Sequence, residues 1–330
     1  MMLERELLPK YHEILEENRS AVYLDCQHIP VTFNLSQSTE VLWKIHEKTL
    51  RSFHVKNTKQ TPSLLDLKVE LADRLFQSCC FCEHRCKVDR RTTPGVCGVK
   101  ETRIATEFLH YGEEAVLVPS HTIFFSGCTF QCVFCQNWDI SQLPGGAPIS
   151  AEKLGTIIKE RKKQGSRNVN WVGGDPTSNM LYVLQVLQEM DSNIPQVWNS
   201  NMYCTEETMK LLQGVIDIYL TDFKYGNDTC AKRLSKIDGY SEVVRRNHLL
   251  AHKQTEMIIR HLVLPNHFEC CSKPVLRFIA DHLPDVLVNI MGQYRPEYRA
   301  NEHKDISQPV SPEEINAVKE YADTLGIHQV

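Results

Sequence analysis

Short apolar runs alternate with helical hydrophobic periods from about residue 120 to the end of the chain. The runs are rich in β-branched and aromatic residues, as expected of buried strands. Strands that alternate with helices predict parallel β/α units, and six units make a partial barrel rather than a complete eight-fold one. The six predicted strands cover residues 122–125, 169–172, 196–198, 216–221, 257–264 and 286–291.

The first 75 residues follow a helical pattern without strand-like runs. Apolar residues from Leu65 to Phe76 keep helical spacing behind Thr61-Pro62, which predicts a helix start there. Near the other end, Ser311 opens a capping box that predicts the last helix. A cysteine- and arginine-rich stretch interrupts the pattern after residue 78. These changes predict three regions: a helical extension (1–78), a cysteine-rich module and connector (79–118), and the barrel (119–330).

Composition places the chain among ordinary globular proteins. Of its 330 residues, 42% are hydrophobic and 24% are charged, which excludes a disordered chain. The sequence contains no apolar run of membrane-spanning length. The net charge of −4 gives no general electrostatic attraction for nucleic acid. The first residues do not resemble a secretory signal, so we expect a cytoplasmic protein.

Thirteen cysteines are the unusual feature of the composition, and they cluster. In a chain without a secretory signal, clustered cysteines indicate metal or redox chemistry rather than disulfides. Cys128, Cys132 and Cys135 form a Cys-x3-Cys-x2-Cys motif directly after the first predicted strand. Three thiolates on a tight loop can ligate three irons of a [4Fe–4S] cluster and leave the fourth iron open. On spacing alone, a zinc site or structural thiols are the alternatives.

A second cluster lies upstream, in the order Cys79-x2-Cys82-x3-Cys86-x10-Cys97. Four cysteines at short spacing suit a tetrahedral zinc site or an auxiliary iron–sulfur cluster, and the sequence does not separate the two. Unligated thiols are the third alternative. The remaining cysteines are scattered along the chain, and we expect them to be ordinary buried or surface thiols: Cys26, Cys204, Cys230, Cys270 and Cys271.

The triplet, with the aromatic Phe134 just before its last cysteine, resembles the radical S-adenosylmethionine (SAM) superfamily. The longer string from Phe124 to Ser141 resembles its pyruvate formate-lyase activating-enzyme-like branch. The resemblance implies a partial (βα)6 barrel, a [4Fe–4S] cluster on the triplet and SAM on the open iron. It also implies reductive cleavage of SAM to a 5′-deoxyadenosyl radical, with flavodoxin or ferredoxin as electron donor.

Motifs at the ends of the later strands fit the same resemblance. Gly173-Gly174-Asp175 occupies the place of the family's Gly-Gly-Glu-Pro motif, with a shorter acidic side chain. Asp222 and Lys224 resemble the Asp-x-Lys motif of activating enzymes. An ordinary turn and a structural salt bridge are the alternatives for these two motifs. The residues predicted to bind SAM are Phe134, Gly173, Gly174, Asp175, Asn199, Asn201, Asp222 and Lys224.

Four further residues lie on or after the fifth and sixth predicted strands and are candidates to face the substrate, unless they serve barrel packing: Arg260, His261, Gln293 and Tyr294. The predicted function is hydrogen abstraction from an unidentified substrate. The branch suggests glycyl-radical installation on a partner protein, and modification of another peptide or a small molecule is the alternative. Outside enzymes, the competing interpretation is a zinc-stabilised binding module.

Overall fold

The computed structural model describes residues 2–51, 54–143 and 145–330, and within these ranges eight strands form one open sheet. The strands lie in chain order, and all are parallel except the first, which runs antiparallel to the second. The predicted partial barrel is therefore confirmed. The strands are β1 Ile104–His110, β2 Ser120–Phe125, β3 Asn168–Gly173, β4 Gln196–Ser200, β5 Ile218–Asp222, β6 Glu256–Leu262, β7 Leu287–Met291 and β8 His328–Gln329.

Helices cover the outer face of the sheet and form the N-terminal extension. Their bounds are α1 Met2–Leu7, α2 Pro9–Leu15, α3 Val22–His28, α4 Thr39–Arg51, α5 Leu64–Gln77, α6 Trp138–Ser141, α7 Ala151–Lys163, α8 Met180–Glu189, α9 Glu206–Leu212, α10 Asp228–Ser235, α11 Tyr240–Gln254, α12 Lys273–His282 and α13 Pro312–Thr324. No helix in the described part of the chain is long and apolar enough to cross a bilayer.

Two helix starts test the capping predictions. Ser311 caps α13 through the expected box, in which its hydroxyl accepts from the Glu314 amide and the Glu314 carboxylate accepts from the Ser311 amide. The N-cap of α5 is Ser63 rather than Thr61, so that prediction was wrong. Ser63 and Asp66 form a reciprocal capping box, which satisfies two amides that Thr61 does not reach.

Apolar side chains close the barrel at the end where its strands begin. Leu8 and Tyr11 from the N-terminal helices meet Val116 and Leu117 from the segment before β2. Together they pack on the first residues of the central strands, and all four are buried. The Tyr11 hydroxyl accepts a hydrogen bond from the buried Asn168 side chain at 2.9 Å. Access to the barrel interior is therefore from the opposite end, where the strands finish.

Candidate functional site

A cavity of about 240 Å³ lies at the carboxyl ends of the strands. Parallel strands end at one edge of the sheet, so side chains that are distant in sequence meet there. The cavity brings together most of the residues predicted from the sequence. These are Cys128, Cys132, Phe134, Cys135, Gly173, Gly174, Asp175, Asn199, Asn201, Asp222, Lys224, Arg260 and Gln293.

The three cysteines of the triplet face this cavity from the loop that follows β2. The Cys132 sulfur lies 3.0 Å from the Ser235 hydroxyl, and the Cys135 sulfur lies 3.2 Å from the Ser141 hydroxyl. Burial raises the pKa of the Cys128 and Cys132 thiols. Iron binding must therefore displace protons from these thiols, as is usual for thiolate ligands.

The spacing of the triplet bears on which metal group it fits. The described sulfurs of Cys128, Cys132 and Cys135 do not all lie within 4.8 Å of one another. Thiolates on a single tetrahedral zinc ion are roughly 3.8 Å apart, given a Zn–S bond of about 2.3 Å. A polynuclear cluster holds its cysteines further apart, so the donor set fits the cluster that the resemblance implies.

Gly173 and Gly174 allow the end of β3 to approach the triplet loop closely. A Cβ on Gly173 would lie 2.1 Å from the Phe125 amide nitrogen, and its φ is +108°. A Cβ on Gly174 would lie 2.0 Å from the Gly127 carbonyl oxygen. No side chain fits at either distance. The glycine pair therefore leaves backbone, rather than side chain, at the wall of the cavity next to Cys128.

Asp175 lines the cavity, but both of its carboxylate oxygens already accept hydrogen bonds. Oδ1 accepts from the Thr177 amide at 2.9 Å, and Oδ2 accepts from the Ser200 hydroxyl and the Asn201 amide at 3.0 Å each. Burial raises the pKa of Asp175 despite these donors. The carboxylate thus joins the ends of β3 and β4. The aspartate side chain, which is shorter than the glutamate of the family motif, suits this position between the strands better than a position that extends into the cavity.

A half-buried network of charges forms another part of the cavity wall. The Asp222 carboxylate accepts from Lys224 Nζ and, at 3.1 Å, from Arg260 Nε. Burial alone would raise the pKa of Asp222, but the Lys224 and Arg260 cations outweigh it and lower that pKa. Arg260 also donates to Asn199 and, at 3.2 Å, to Glu113. Lys224 and Arg260 thus face the carboxylates of Asp222 and Glu113, and the Glu114 carboxylate also acts on Arg260.

Glu113 was not predicted from the sequence to belong to the site. It lies in the loop before β2 and reaches Arg260 and the Asn170 side chain. The neighbouring Glu114 accepts from Asn289 at 2.8 Å. Two adjacent acidic residues directly before an apolar segment were the available signal, although nothing in the sequence identifies their partners.

Two of the predicted substrate-side residues lie away from the cavity. His261 follows Arg260 on β6, so strand alternation turns it to the opposite face. There it is fully buried and bonds the Phe223 carbonyl at 2.8 Å and the Ser272 hydroxyl at 2.9 Å. Tyr294 is also buried, and its hydroxyl donates to the Ile306 carbonyl at 2.5 Å. Gln293 is exposed at the rim of the cavity.

The cysteine-rich module packs directly against the barrel. The Thr205 hydroxyl, which caps α9, donates to the Cys80 carbonyl at 2.8 Å. The His84 ring bonds the carbonyl of Thr129, next to Cys128, at 2.8 Å. Within the module, the Arg90 guanidinium donates to the Cys79 sulfur at 3.5 Å. The module is thus in contact with the triplet loop, a proximity that the sequence did not indicate.

Three cysteines that we expected to be ordinary buried or surface thiols come together in the structure: Cys230, Cys270 and Cys271. Cys230 is 40 residues from Cys270, so spacing along the chain did not reveal the group. The available signal was topological, because the first cysteine follows β5 and the other two follow β6, the adjacent parallel strand.

Comparison with known proteins gives two sequence matches. The model of the Radical SAM superfamily matches residues 122–279, from β2 into α12. MJ0674, an uncharacterised protein of Methanocaldococcus jannaschii, is 48% identical over 333 residues. That alignment covers 97% of this chain and 98% of MJ0674, so the similarity extends over the N-terminal helices and the cysteine-rich module as well as the barrel.

Among solved structures, the chain is similar to Streptococcus suis SuiB bound to S-adenosylmethionine (12% identity, TM-score 0.45). That match covers 62% of this chain and 47% of SuiB, so the chain spans about half of SuiB. Methylornithine synthase (PylB) matches at 14% identity and TM-score 0.47, over 97% of this chain and 77% of its own. A domain of the pyruvate-formate lyase-activating enzyme from Bacteroides vulgatus matches at 15% identity and TM-score 0.39, over 49% and 97%. At such low similarity these structures say nothing about the substrate.

Proposed function

We propose that this chain, whose residues 122–279 match the Radical SAM superfamily, holds a [4Fe–4S] cluster on Cys128, Cys132 and Cys135 with SAM beside it. The match indicates an enzyme and implies both the cluster and SAM. The observation that carries the assignment of residues is that one cavity is lined by the three cysteines and by the polar strand ends. When bound and reduced, this pair of cofactors supplies a 5′-deoxyadenosyl radical for hydrogen abstraction.

The residues of the cavity suit the polar groups of SAM. The Gly174 carbonyl, which accepts from the Cys128 thiol at 3.2 Å, is the acceptor that we assign to an ammonium group, and no side chain on Gly173 or Gly174 blocks the approach. Lys224 and Arg260 can bind a carboxylate, and both are already held by Asp222. The Asn199 amide, which Arg260 contacts, is suited to the ribose hydroxyls. Asp175 positions these strand ends without contacting the ligand directly.

For the substrate, we propose a polypeptide partner that receives a glycyl radical. Gln136, Asn137 and Gln293 are exposed at the rim of the cavity and offer amide groups to a peptide backbone. Beside them, Trp138 stacks on the exposed Tyr298 with ring centroids 5.4 Å apart. Aromatic side chains with polar neighbours are typical of protein-binding surfaces. A small-molecule substrate is the second outcome of the test below.

The test of the chemistry is reductive cleavage by the anaerobically reconstituted protein. With dithionite or reduced flavodoxin, we expect release of 5′-deoxyadenosine and methionine. Cys128→Ala, Cys132→Ala and Cys135→Ala should each abolish product, whereas Cys26→Ala, which changes a buried cysteine outside the site, should not. A zinc-stabilised binding module would give no product from the wild-type protein. S-adenosylhomocysteine as sole product would indicate a methyltransferase instead.

The test of the substrate is anaerobic capture of partners, followed by electron paramagnetic resonance of the captured protein after turnover with SAM. A glycyl-radical doublet on the partner supports the polypeptide proposal. Deoxyadenosine release that a metabolite extract stimulates and a protein fraction does not would replace it with the small-molecule alternative.

A further inference from the structure

Cys230, Cys270 and Cys271 form a group of three thiols outside the cavity described above. Cys230 lies in the first turns of α10, and the other two belong to a single π-helical turn, Phe268–Ser272, that precedes α12. The sulfur of Cys270 is 3.9 Å from that of Cys230 and 3.9 Å from that of Cys271. All three sulfurs lie within 4.8 Å of one another. Among the described residues, no other three His, Cys, Asp or Glu side chains bring their ligand atoms this close together.

The Asn227 side chain and the close approach of Gly226 hold the two cysteine-bearing segments together. Asn227 caps α10 by accepting from the Cys230 amide at 2.8 Å, and the same side chain donates to the Cys270 carbonyl at 2.7 Å. Next to it, a Cβ on Gly226 would lie 2.6 Å from the Cys270 carbonyl oxygen and 2.9 Å from that of Cys271. The close approach of the loops therefore depends on glycine here. The thiols are brought together by the fold and do not need a ligand to gather them.

The environment of the thiols suits a cation. Cys230 and Cys271 are buried, at 8% and 1% exposure, while Cys270 reaches the surface. Arg233, one helical turn after Cys230, is paired with Asp305 at 2.6 Å, so its positive charge is compensated and does not oppose a cation at the thiols. Exposure of Cys270 gives solvent access to one side of the group.

We propose that Cys230, Cys270 and Cys271 bind one Zn²⁺ ion as three thiolates, with the fourth coordination position open to solvent. Two of the three sulfur separations are 3.9 Å, close to the roughly 3.8 Å between thiolates on a tetrahedral zinc ion, and the third is within 4.8 Å. Thiolate ligands select soft and borderline ions such as zinc over Mg²⁺ or Ca²⁺. The proposal is independent of the function proposed above, because none of the three cysteines lines the cavity.

The ion would tie the start of α10 to the turn that precedes α12. The same helix ends at Ser235, whose hydroxyl lies 3.0 Å from the Cys132 sulfur and 2.6 Å from the Tyr225 hydroxyl. Tyr225 directly precedes Gly226 in the loop that packs on the cysteine pair. An ion bound at the start of α10 would therefore hold the helix that contacts the triplet loop.

The test is zinc stoichiometry in the full-length chain, purified anaerobically and dialysed against buffer after exposure to excess Zn²⁺. Cys230→Ser and Cys271→Ser should each hold one zinc ion per chain fewer than the wild type. Cys26→Ser, a buried cysteine whose sulfur contacts only the Gly214 carbonyl among the hydrogen bonds of the described chain, is the matched control and should lose none. Because any zinc on the Cys79–Cys97 module is common to all the proteins, the difference isolates this site.

If the buried variants fail to fold, Cys270→Ala removes the exposed ligand instead. It should also hold one zinc ion per chain fewer than the wild type. In the wild type, zinc at ten times its Kd should slow alkylation of Cys270 by about tenfold, as read by mass spectrometry of the peptide. Equal zinc in the variants and the control would overturn the proposal. So would a Cys230–Cys270 disulfide in the anaerobic protein, or iron with sulfide in place of zinc on these residues.

Discussion

The Asp222 carboxylate accepts a hydrogen bond from Arg260 Nε at 3.1 Å and thereby joins the carboxyl ends of β5 and β6 inside the cavity. Its other oxygen takes Lys224, and Arg260 in turn reaches Glu113. Buried Glu114 adds a third carboxylate near Arg260, and the other four charges are half-buried, so removing any one of them upsets the balance of partly desolvated charges. This balance is what makes the wall sensitive to substitution.

Asp222→Asn should weaken SAM binding while leaving the iron content unchanged. Lys224 and Arg260 lose the carboxylate that orients them, so we expect about a tenfold to hundredfold rise in Kd, which corresponds to about 1.4–2.8 kcal/mol. Equilibrium dialysis with labelled SAM measures it. Asp285→Asn, at a surface acid paired with His252, is the control. Unchanged affinity for SAM in Asp222→Asn would show that Asp222 and Lys224 form a purely structural salt bridge.

Gly174→Ala should disrupt the contact between β3 and the triplet loop. Its Cβ would lie 2.0 Å from the Gly127 carbonyl, so the backbone must shift, at a cost of roughly 1–3 kcal/mol. We expect a lower urea midpoint of unfolding and a lower iron content per chain after reconstitution. Gly155→Ala, in α7 with its nearest neighbour at 3.5 Å, should instead leave iron unchanged and match or exceed wild-type stability. If both variants behave alike, crowding at Gly174 is not the cause.

Two buried histidines should each lower the unfolding free energy in mild acid, in the same direction as His121 and against the buried Asp217, whose pKa burial raises to about 7. Burial lowers the pKa of His248 and His261 to about 4 each. An unfolded histidine has a pKa of about 6.5, so below that pH the unfolded chain binds more protons than the folded one. Their stabilising contribution is therefore complete above pH 6.5 and is lost as the pH falls towards 4.

Urea unfolding at intervals between pH 4 and pH 6.5 measures this effect. Each histidine should contribute a slope of up to about 1.4 kcal/mol per pH unit in the unfolding free energy. His248→Gln should flatten the curve by that amount, because glutamine does not titrate. A variant curve parallel to the wild-type curve would show that His248 does not carry the effect.

Substitution in the cysteine-rich module should separate its metal from that of the triplet. Cys82→Ser should lower thermal stability and total metal, because a short polar segment depends on ligand binding for its fold. We expect the reduced-cluster resonance of the triplet to survive. Metal analysis of the Cys128, Cys132 and Cys135 triple alanine variant then identifies the occupant. Residual zinc indicates a structural site, residual iron and sulfide an auxiliary cluster, and no residual metal free thiols.

The sequence predicted the site residues that lie at the carboxyl ends of successive parallel strands. Runs such as 169–172 and 286–291 became β3 and β7, and the motifs that follow them met because parallel strands end together. The edge strands β1 and β8 were not predicted, since β1 lies outside the repeating units and β8 has two residues. His261 was placed on the wrong face because the alternation of β6 was not applied to the Arg260-His261 pair.

Contacts between distant loops were beyond the sequence for a physical reason. Glu113 meets Arg260 across 147 residues, and Cys230 meets Cys270 across 40. Such pairs depend on how loops fold over the sheet, which hydrophobic periodicity does not encode. The same holds for the packing of His84 against the triplet loop.

The apolar closure formed by Leu8, Tyr11, Val116 and Leu117 has a kinetic consequence. Because these side chains fill the end of the barrel where the strands begin, reactants and products must enter and leave through the opening at the other end. A macromolecule seated on the rim around Gln136 and Gln293 would cover that opening and trap whatever small molecule lies beneath it. Loading would then follow a compulsory order, with SAM first and the partner second. New SAM would enter only after the partner dissociates, so each binding of the partner would allow a single cleavage of SAM.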